Sequence, residues 1–87
     1  MIRAVLLSSK AQREYESLTP DERSRVRTGL LEFAEKNRGD VKKLKGVGKG
    51  PDLYRLRIGE CRIVFALTAR EIRVTRIIPR SEGYDWL

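Results

Sequence analysis

The sequence predicts an α+β domain in which an N-terminal helical hairpin packs on one face of a small, mainly antiparallel sheet. Apolar residues recur at helical spacing between residues 11 and 34, which is typical of amphipathic helices. After residue 52 the apolar period becomes two, in three strand-like runs separated by short turns. A short apolar run at the N-terminus adds a further strand. The expected order of elements is therefore β-α-α-β-β-β, in one domain spanning residues 1–87.

The first strand is predicted over Ile2–Leu7, where an apolar and β-branched run ends at two serines. Ser9 and Gln12 have the spacing of a capping box, so the first helix should begin near Lys10. The residues of this helix that should face the core are Ala11, Tyr15 and Leu18.

The second helix has the clearest local start signal in the chain. Thr19 is placed to cap it, Pro20 fits its first position, and Glu22 completes a capping box with Thr19. Gly39 is expected just past its end. The apolar stripe that should face the core consists of Val26, Leu30, Phe33 and Ala34. Because the break between the two helices is short, they should form an antiparallel hairpin.

The segment Val41–Pro51 contains three glycines, a proline and four lysines, and is therefore predicted as a loop. Glycines beside lysines allow a backbone to approach phosphate groups closely. The segment is not a Walker motif, since the required Gly-Lys-Ser/Thr ending is missing. We expect it to be a basic connector to the sheet.

Three consecutive antiparallel strands are predicted over Leu53–Ile58, Cys61–Leu67 and Glu71–Ile78. In the first of these strands Arg55 and Arg57 lie on the face that points away from the core. The core-facing residues of the first two strands are Tyr54, Leu56, Ile58, Cys61, Ile63, Phe65 and Leu67.

The net charge of +7 is concentrated in the second half of the chain. Residues 1–41 carry +1, residues 42–80 carry +8, and residues 81–87 carry −2. Such an asymmetry favours a polyanionic partner, either nucleic acid or an acidic protein segment. The alternative is a solvated basic surface with no partner.

Several classes of chemistry are excluded by composition. The chain has no histidine, so catalysis through histidine is excluded, and one cysteine cannot form an internal disulfide or a zinc site. No metal or other cofactor is expected. A single cysteine fits a reducing cytoplasm. The longest apolar run, Ile63–Leu67, is too short to cross a bilayer, and no apolar signal segment follows Met1.

An arginine-lined sheet face is expected on the side that the helices leave uncovered. Arg55 and Arg57 project from one strand and Arg62 from its hairpin neighbour, while Arg80 lies just past the last strand. Guanidinium groups bind phosphate bidentately, and aromatic rings near the C-terminus offer stacking surfaces for unpaired bases. The same arginines also fit the solvated half of alternating strands, a pattern that needs no function.

The segments Leu44–Gly46 and Leu53–Phe65 strongly resemble the RelE/ParE toxin superfamily. The second segment has the form Tyr-Arg-x-Arg-x-Gly-x-x-Arg-Ile-Val, and the resemblance covers essentially the whole chain. Cys61 departs from the family pattern, in which an aromatic residue is common. The ending Pro79–Tyr84, an arginine followed by a tyrosine, resembles the RelE branch more than the ParE branch.

The resemblance implies a metal-independent, ribosome-dependent endoribonuclease that cuts mRNA and thereby inhibits translation. The ribose 2′-hydroxyl would attack the adjacent phosphate and leave a 2′,3′-cyclic phosphate. The implied RNA- or phosphate-binding residues are Lys45, Arg55 and Arg57, and the implied catalytic residues are Arg62, Arg80, Glu82 and Tyr84. Because an arginine does not release a proton in proteins, the general base is either Tyr84 or Glu82.

The same resemblance implies an acidic, partly helical RelB-like antitoxin that folds on binding and forms a hetero-oligomer with the chain. The ribosome and mRNA are the other expected partners, and no membrane partner is expected. Two alternatives stay open: a ParE-like toxin that inhibits DNA gyrase by binding, and an inactive RelE-fold domain that only binds its partner. The pair Arg80 and Tyr84 discriminates between the ribonuclease and the gyrase inhibitor, because a gyrase inhibitor does not need it.

Overall fold

The structure is a computed structural model that describes residues 2–44 and 52–79. The elements of this part are β1 (Ala4–Leu7), α1 (Ser9–Glu16), α2 (Pro20–Lys36), β2 (Asp40–Lys43), β3 (Leu53–Ile58), β4 (Cys61–Leu67) and β5 (Glu71–Ile78). No helix within these residues is long and apolar enough to span a membrane.

The strands form one mixed sheet in the order β1-β5-β4-β3-β2. β1 runs parallel to β5, and the other neighbouring strands are antiparallel. Both helices contribute to a single core against one face of the sheet, where the rings of Phe33 and Phe65 lie 5.4 Å apart. The predicted fold class, a helical hairpin on one face of a mainly antiparallel sheet, is confirmed. The core-facing residues predicted for both helices and for β3 and β4 all lie in or against this core.

The capping box predicted at Ser9 and Gln12 is wrong, because Ser8 caps α1 instead. The Ser8 hydroxyl oxygen accepts a hydrogen bond of 3.0 Å from the backbone N–H of Ala11. The hydroxyl group of Ser8 also donates to the carbonyl oxygen of Thr75 at 3.0 Å. The pairing of β1 with β5 therefore decides which of the two neighbouring serines ends the strand and begins the helix.

The capping box predicted for α2 is confirmed. The Thr19 hydroxyl accepts from the Glu22 backbone N–H at 3.2 Å, and the Glu22 carboxylate accepts from the Thr19 N–H at 2.9 Å. At the other end the left-handed residue is Asn37 (φ 57°), which comes before the predicted Gly39. Asparagine tolerates this conformation better than most residues. Its side-chain oxygen is held by Arg3, which donates to it at 2.8 Å.

Asp40–Lys43 forms strand β2, so the loop predicted over Val41–Pro51 is wrong for its first three residues. β2 pairs in antiparallel fashion with β3, and Val41 lies opposite Leu56 and packs against the core. A four-residue strand with three charged residues has weak intrinsic strand preference. Pairing with β3 and burial of Val41 supply the stability that composition does not indicate.

One extra residue in β5 shifts its register against β4. Phe65 pairs with Val74 and Val64 with Arg76, so Thr75 is left between them as a bulge. Its hydroxyl donates to the carbonyl oxygen of Val64 at 3.2 Å. The shift keeps the following residue pair, Ile63 and Ile77, in the core.

Helix α1 closes the edge of β5 beyond the end of β1. The Glu14 carboxylate accepts hydrogen bonds from the Arg76 guanidinium at 2.8–3.2 Å and from the Ile77 backbone N–H at 2.8 Å. An unpaired strand edge exposes backbone donors, and this carboxylate satisfies one of them. Glu14 therefore holds α1 against β5 at the point where β1 has ended.

Candidate nucleic-acid interface

The sheet face that points away from the helices carries two neighbouring rows of mainly basic residues. Directly paired residues of adjacent strands share a face, so the register gives the rows across β2, β3, β4 and β5. One row consists of Asp40, Arg57, Arg62 and Ile78, and the next of Lys42, Arg55, Val64 and Arg76. We call these eight residues the cationic face.

Arg57 and Arg62 stand directly opposite each other on β3 and β4. The Cβ atoms of such a pair are typically about 4.5–5.5 Å apart, and like charges in this position repel. Arg57 is exposed, and Arg62 is half-buried. Both side chains project from the same face of the sheet, so two positive charges are placed on neighbouring strands there.

Arg55 lies on the same face but is turned towards the sheet edge by Asp40. Its Nη1 atom is 3.5 Å from the Asp40 carboxylate and 3.5 Å from the Asp40 carbonyl oxygen. The Arg55 side chain is only 14% exposed, whereas that of Asp40 is 64% exposed. An ion pair with such long contacts and an exposed carboxylate contributes little stability, so a phosphate group could replace Asp40.

The centre of the cationic face is covered, contrary to the expectation that this side has no intramolecular cover. Val64 and Ile78 are both 0% exposed, although neither belongs to the core between the helices and the sheet. Arg55 and Arg76 flank Val64 on the two neighbouring strands, and their side chains are each 14% exposed. The helices leave this face open, but Val64 and Ile78 at its centre are buried.

Cys61 lies on the opposite side of the sheet, in the core. It is 3% exposed, and burial raises the pKa of its thiol. A raised pKa disfavours the thiolate, which is the nucleophilic form. Cys61 is therefore a packing residue, in agreement with its predicted core-facing position.

Lys43 also lies outside the cationic face, since it pairs with Tyr54 on the helix side. Its ammonium group is 3.1 Å from the Asp52 carboxylate, and this contact raises the pKa of Lys43. Leu44 donates its backbone N–H to Leu53 at 2.8 Å. These contacts join the two ends of the connection between β2 and β3.

A groove of about 530 Å³ lies between α1, the start of α2 and the end of β5. Its lining includes Lys10, Arg13, Glu14 and Glu22, but none of the arginines of β3 or β4. In the described ranges, no group of three or more Cys, Asp or Glu residues could hold a metal ion. The groove is thus separate from the arginines of the cationic face on β3 and β4.

The structure brings together three of the predicted site residues, Arg55, Arg57 and Arg62, on one face. The other four predicted site residues, Lys45, Arg80, Glu82 and Tyr84, lie outside the described residues. Lys42 shares the cationic face but is missing from the sequence-based set. The polar–apolar–polar alternation of Asp40, Val41 and Lys42 was the signal that could have identified it.

No protein-family model and no curated protein sequence matches the chain. Solved structures do match. The chain superposes on RelE in an archaeal RelE–RelB complex from Pyrococcus horikoshii OT3 with a TM-score of 0.75 and 24% identity, covering 95% of this chain and 100% of that one.

Two further structures give the same result. A RelB–RelE antitoxin–toxin complex from Methanococcus jannaschii matches with a TM-score of 0.71 and 23% identity, over 94% of this chain and 98% of that one. The YoeB dimer from Staphylococcus aureus matches with a TM-score of 0.71 and 19% identity, over 90% and 97%. The chain therefore has the α+β fold of the RelE and YoeB proteins.

Proposed function

We propose that the chain is the toxin of a type II toxin–antitoxin system and inhibits translation by cutting mRNA on the ribosome in the cytoplasm. The cationic face is the observation that carries this proposal, since Arg57 and Arg62 stand opposite each other on the side that the helices leave open. Guanidinium groups bind phosphate bidentately, so two arginines on neighbouring strands suit the backbone of an RNA. The shared fold with RelE supports the same function.

The proposed reaction is an internal transfer at one phosphate of the mRNA. The ribose 2′-oxygen forms a bond to phosphorus as it loses its proton to a base. The bond between phosphorus and the 5′-oxygen of the next nucleotide breaks, and that oxygen takes a proton from water. The products are a 2′,3′-cyclic phosphate and a free 5′-hydroxyl group. No metal enters this step.

The arginines act by charge in this proposal. Arg57 and Arg62, with Arg80, stabilise the extra negative charge that develops on the phosphate oxygens in the transition state. Arg55 and Lys45 contact neighbouring phosphates. Since guanidinium groups keep their protons, none of the arginines serves as the base.

The base is one of two C-terminal residues, Tyr84 or Glu82. A tyrosine has an ordinary pKa near 10, and nearby guanidinium charges lower the pKa of a phenol. A carboxylate accepts a proton without such help. Tyr84→Phe and Glu82→Gln distinguish the two, since removal of a positioned proton-transfer group typically costs about 10²- to 10⁴-fold in rate. Arg80→Ala should slow cleavage with either base, because both routes need charge neutralisation at the phosphate.

The proposed partner is an acidic, RelB-like antitoxin. Two of the structures that share this fold are complexes of RelE with RelB. An acidic chain that covers the cationic face would compete directly with RNA for Arg57 and Arg62. We expect expression of the chain alone to arrest growth, and co-expression with the neighbouring gene to relieve the arrest.

The decisive experiment incubates the purified protein with translating ribosomes and a defined mRNA, then maps the new RNA ends. Cuts that carry a 2′,3′-cyclic phosphate and need the ribosome would support the proposal. A DNA gyrase supercoiling assay runs in parallel. Inhibition of gyrase without RNA cleavage would instead identify a ParE-like toxin, and activity in neither assay would indicate an inactive RelE-fold domain.

A further inference from the structure

We propose that Lys42 on β2 is a further RNA-contacting residue, which binds the phosphate backbone together with Arg57. This inference rests on the proposed function, because it assigns a new contact to the same surface.

The strand register places the two side chains on one face and within reach of the same strand of RNA. Lys42 pairs with Arg55, and Arg57 pairs with Asp40, so Lys42 and Arg57 are diagonal neighbours on β2 and β3. Diagonal neighbours lie about 7–8 Å apart, a distance that long side chains span. Both residues are exposed. Their charged ends can therefore reach one phosphate or two successive phosphates.

The ion pairs of the cationic face also favour this pair. Arg55 is bound by Asp40, and the partly buried Arg76 is bound by Glu14 at 2.8 Å. Within residues 2–44 and 52–79, Lys42 and Arg57 form no salt bridge with a carboxylate. A cation already neutralised by a carboxylate gains less from a phosphate than one that faces only water. Among the described residues, Lys42 and Arg57 are thus two cations of this face whose charge is not offset by a carboxylate.

The two residues supply complementary contacts. The arginine fork binds two oxygens of one phosphate in a fixed geometry, whereas the lysine ammonium group acts as a mobile point charge. β2 is an edge strand of the sheet. A single strand of RNA that crosses from β4 to this edge would meet Arg62, Arg57 and Lys42 in turn.

The test measures binding of a fluorescein-labelled single-stranded RNA oligomer by anisotropy at several salt concentrations. The plot of log K against log salt has a negative slope, and Lys42→Ala should make it shallower by about 0.7, the value for one phosphate contact on a single strand. Arg57→Ala should give a similar loss, and Lys42→Arg should restore the slope of the unmodified protein. Lys36→Ala is the matched control, because it removes an exposed lysine on α2, on the other side of the sheet.

Equal slopes for Lys42→Ala and Lys36→Ala would overturn the inference, even if the unmodified protein cuts mRNA. Absence of RNA binding by the unmodified protein would overturn it as well. A Lys42-dependent slope in a protein that cuts no mRNA on ribosomes would support the phosphate contact while refuting the ribonuclease proposal. Thermal unfolding of each variant by circular dichroism checks that the fold is unchanged.

Discussion

Gly29→Ala should destabilise the protein, although alanine is the better helix former. Gly29 lies inside α2, where replacing glycine by alanine normally gains about 1 kcal/mol. A Cβ atom at this position would lie 2.6 Å from Cδ1, 2.8 Å from Cγ1 and 3.1 Å from Cγ2 of Ile58 on β3. The whole branched side chain must therefore shift, and overpacking of this kind costs about 1–3 kcal/mol. We expect a net loss of about 1 kcal/mol in the free energy of unfolding.

Urea and thermal unfolding followed by circular dichroism measure this loss, which corresponds to a decrease in Tm of about 4–8 °C. In an Ile58→Ala background the three close atoms are gone, so Gly29→Ala should become neutral or stabilising there. The coupling energy of this double-mutant cycle isolates the contact between helix and sheet. Thr28→Ala, at an exposed position of the same helix, is the control for helix propensity alone. If Gly29→Ala raises stability with Ile58 intact, the helix does not approach the sheet as closely as the structure shows.

Three further predictions concern the cationic face and the core. Arg57→Ala should weaken RNA binding with little change in Tm. Phe65 is 0% exposed, so Phe65→Ala should lower the free energy of unfolding by about 3–5 kcal/mol. If the two variants lose Tm equally, Arg57 is a structural residue. The pKa of Cys61 is raised in the folded state, so folding favours the protonated thiol. This contribution to stability is complete below the ordinary thiol pKa of about 8.5 and is lost as the pH rises through the folded pKa. Urea unfolding at pH 7 and pH 9.5 should show this loss, and it should be smaller in Cys61→Ala. Asp40→Asn should tighten binding of single-stranded RNA, because it removes the carboxylate that forms an ion pair with Arg55. If anisotropy titrations show weaker binding instead, Asp40 positions Arg55 for RNA.

The sequence by itself determined the features that depend on local spacing. The start of α2 needs only Thr19 and Glu22 three residues apart, and the structure contains both hydrogen bonds. The faces of β3 and β4 follow from a period of two, because one side of each strand is buried in the core. The common face of Arg55, Arg57 and Arg62 is predicted in the same way and confirmed by the register.

Only the tertiary structure decided the features that depend on partners distant in sequence. Asp40–Lys43 is a strand because β3 pairs with it, and its composition alone is typical of a loop. If the alternation of faces continued from the buried Val74, Arg76 would face the core. The bulge at Thr75 exchanges the two faces for the residues that follow it, so that Ile77 faces the core instead. A bulge adds one residue to one strand only, so it becomes visible when both strands are aligned. The division of charge on the cationic face has the same origin, because the pairing of β2 with β3 brings Asp40 to Arg55 and leaves Lys42 beside Arg57.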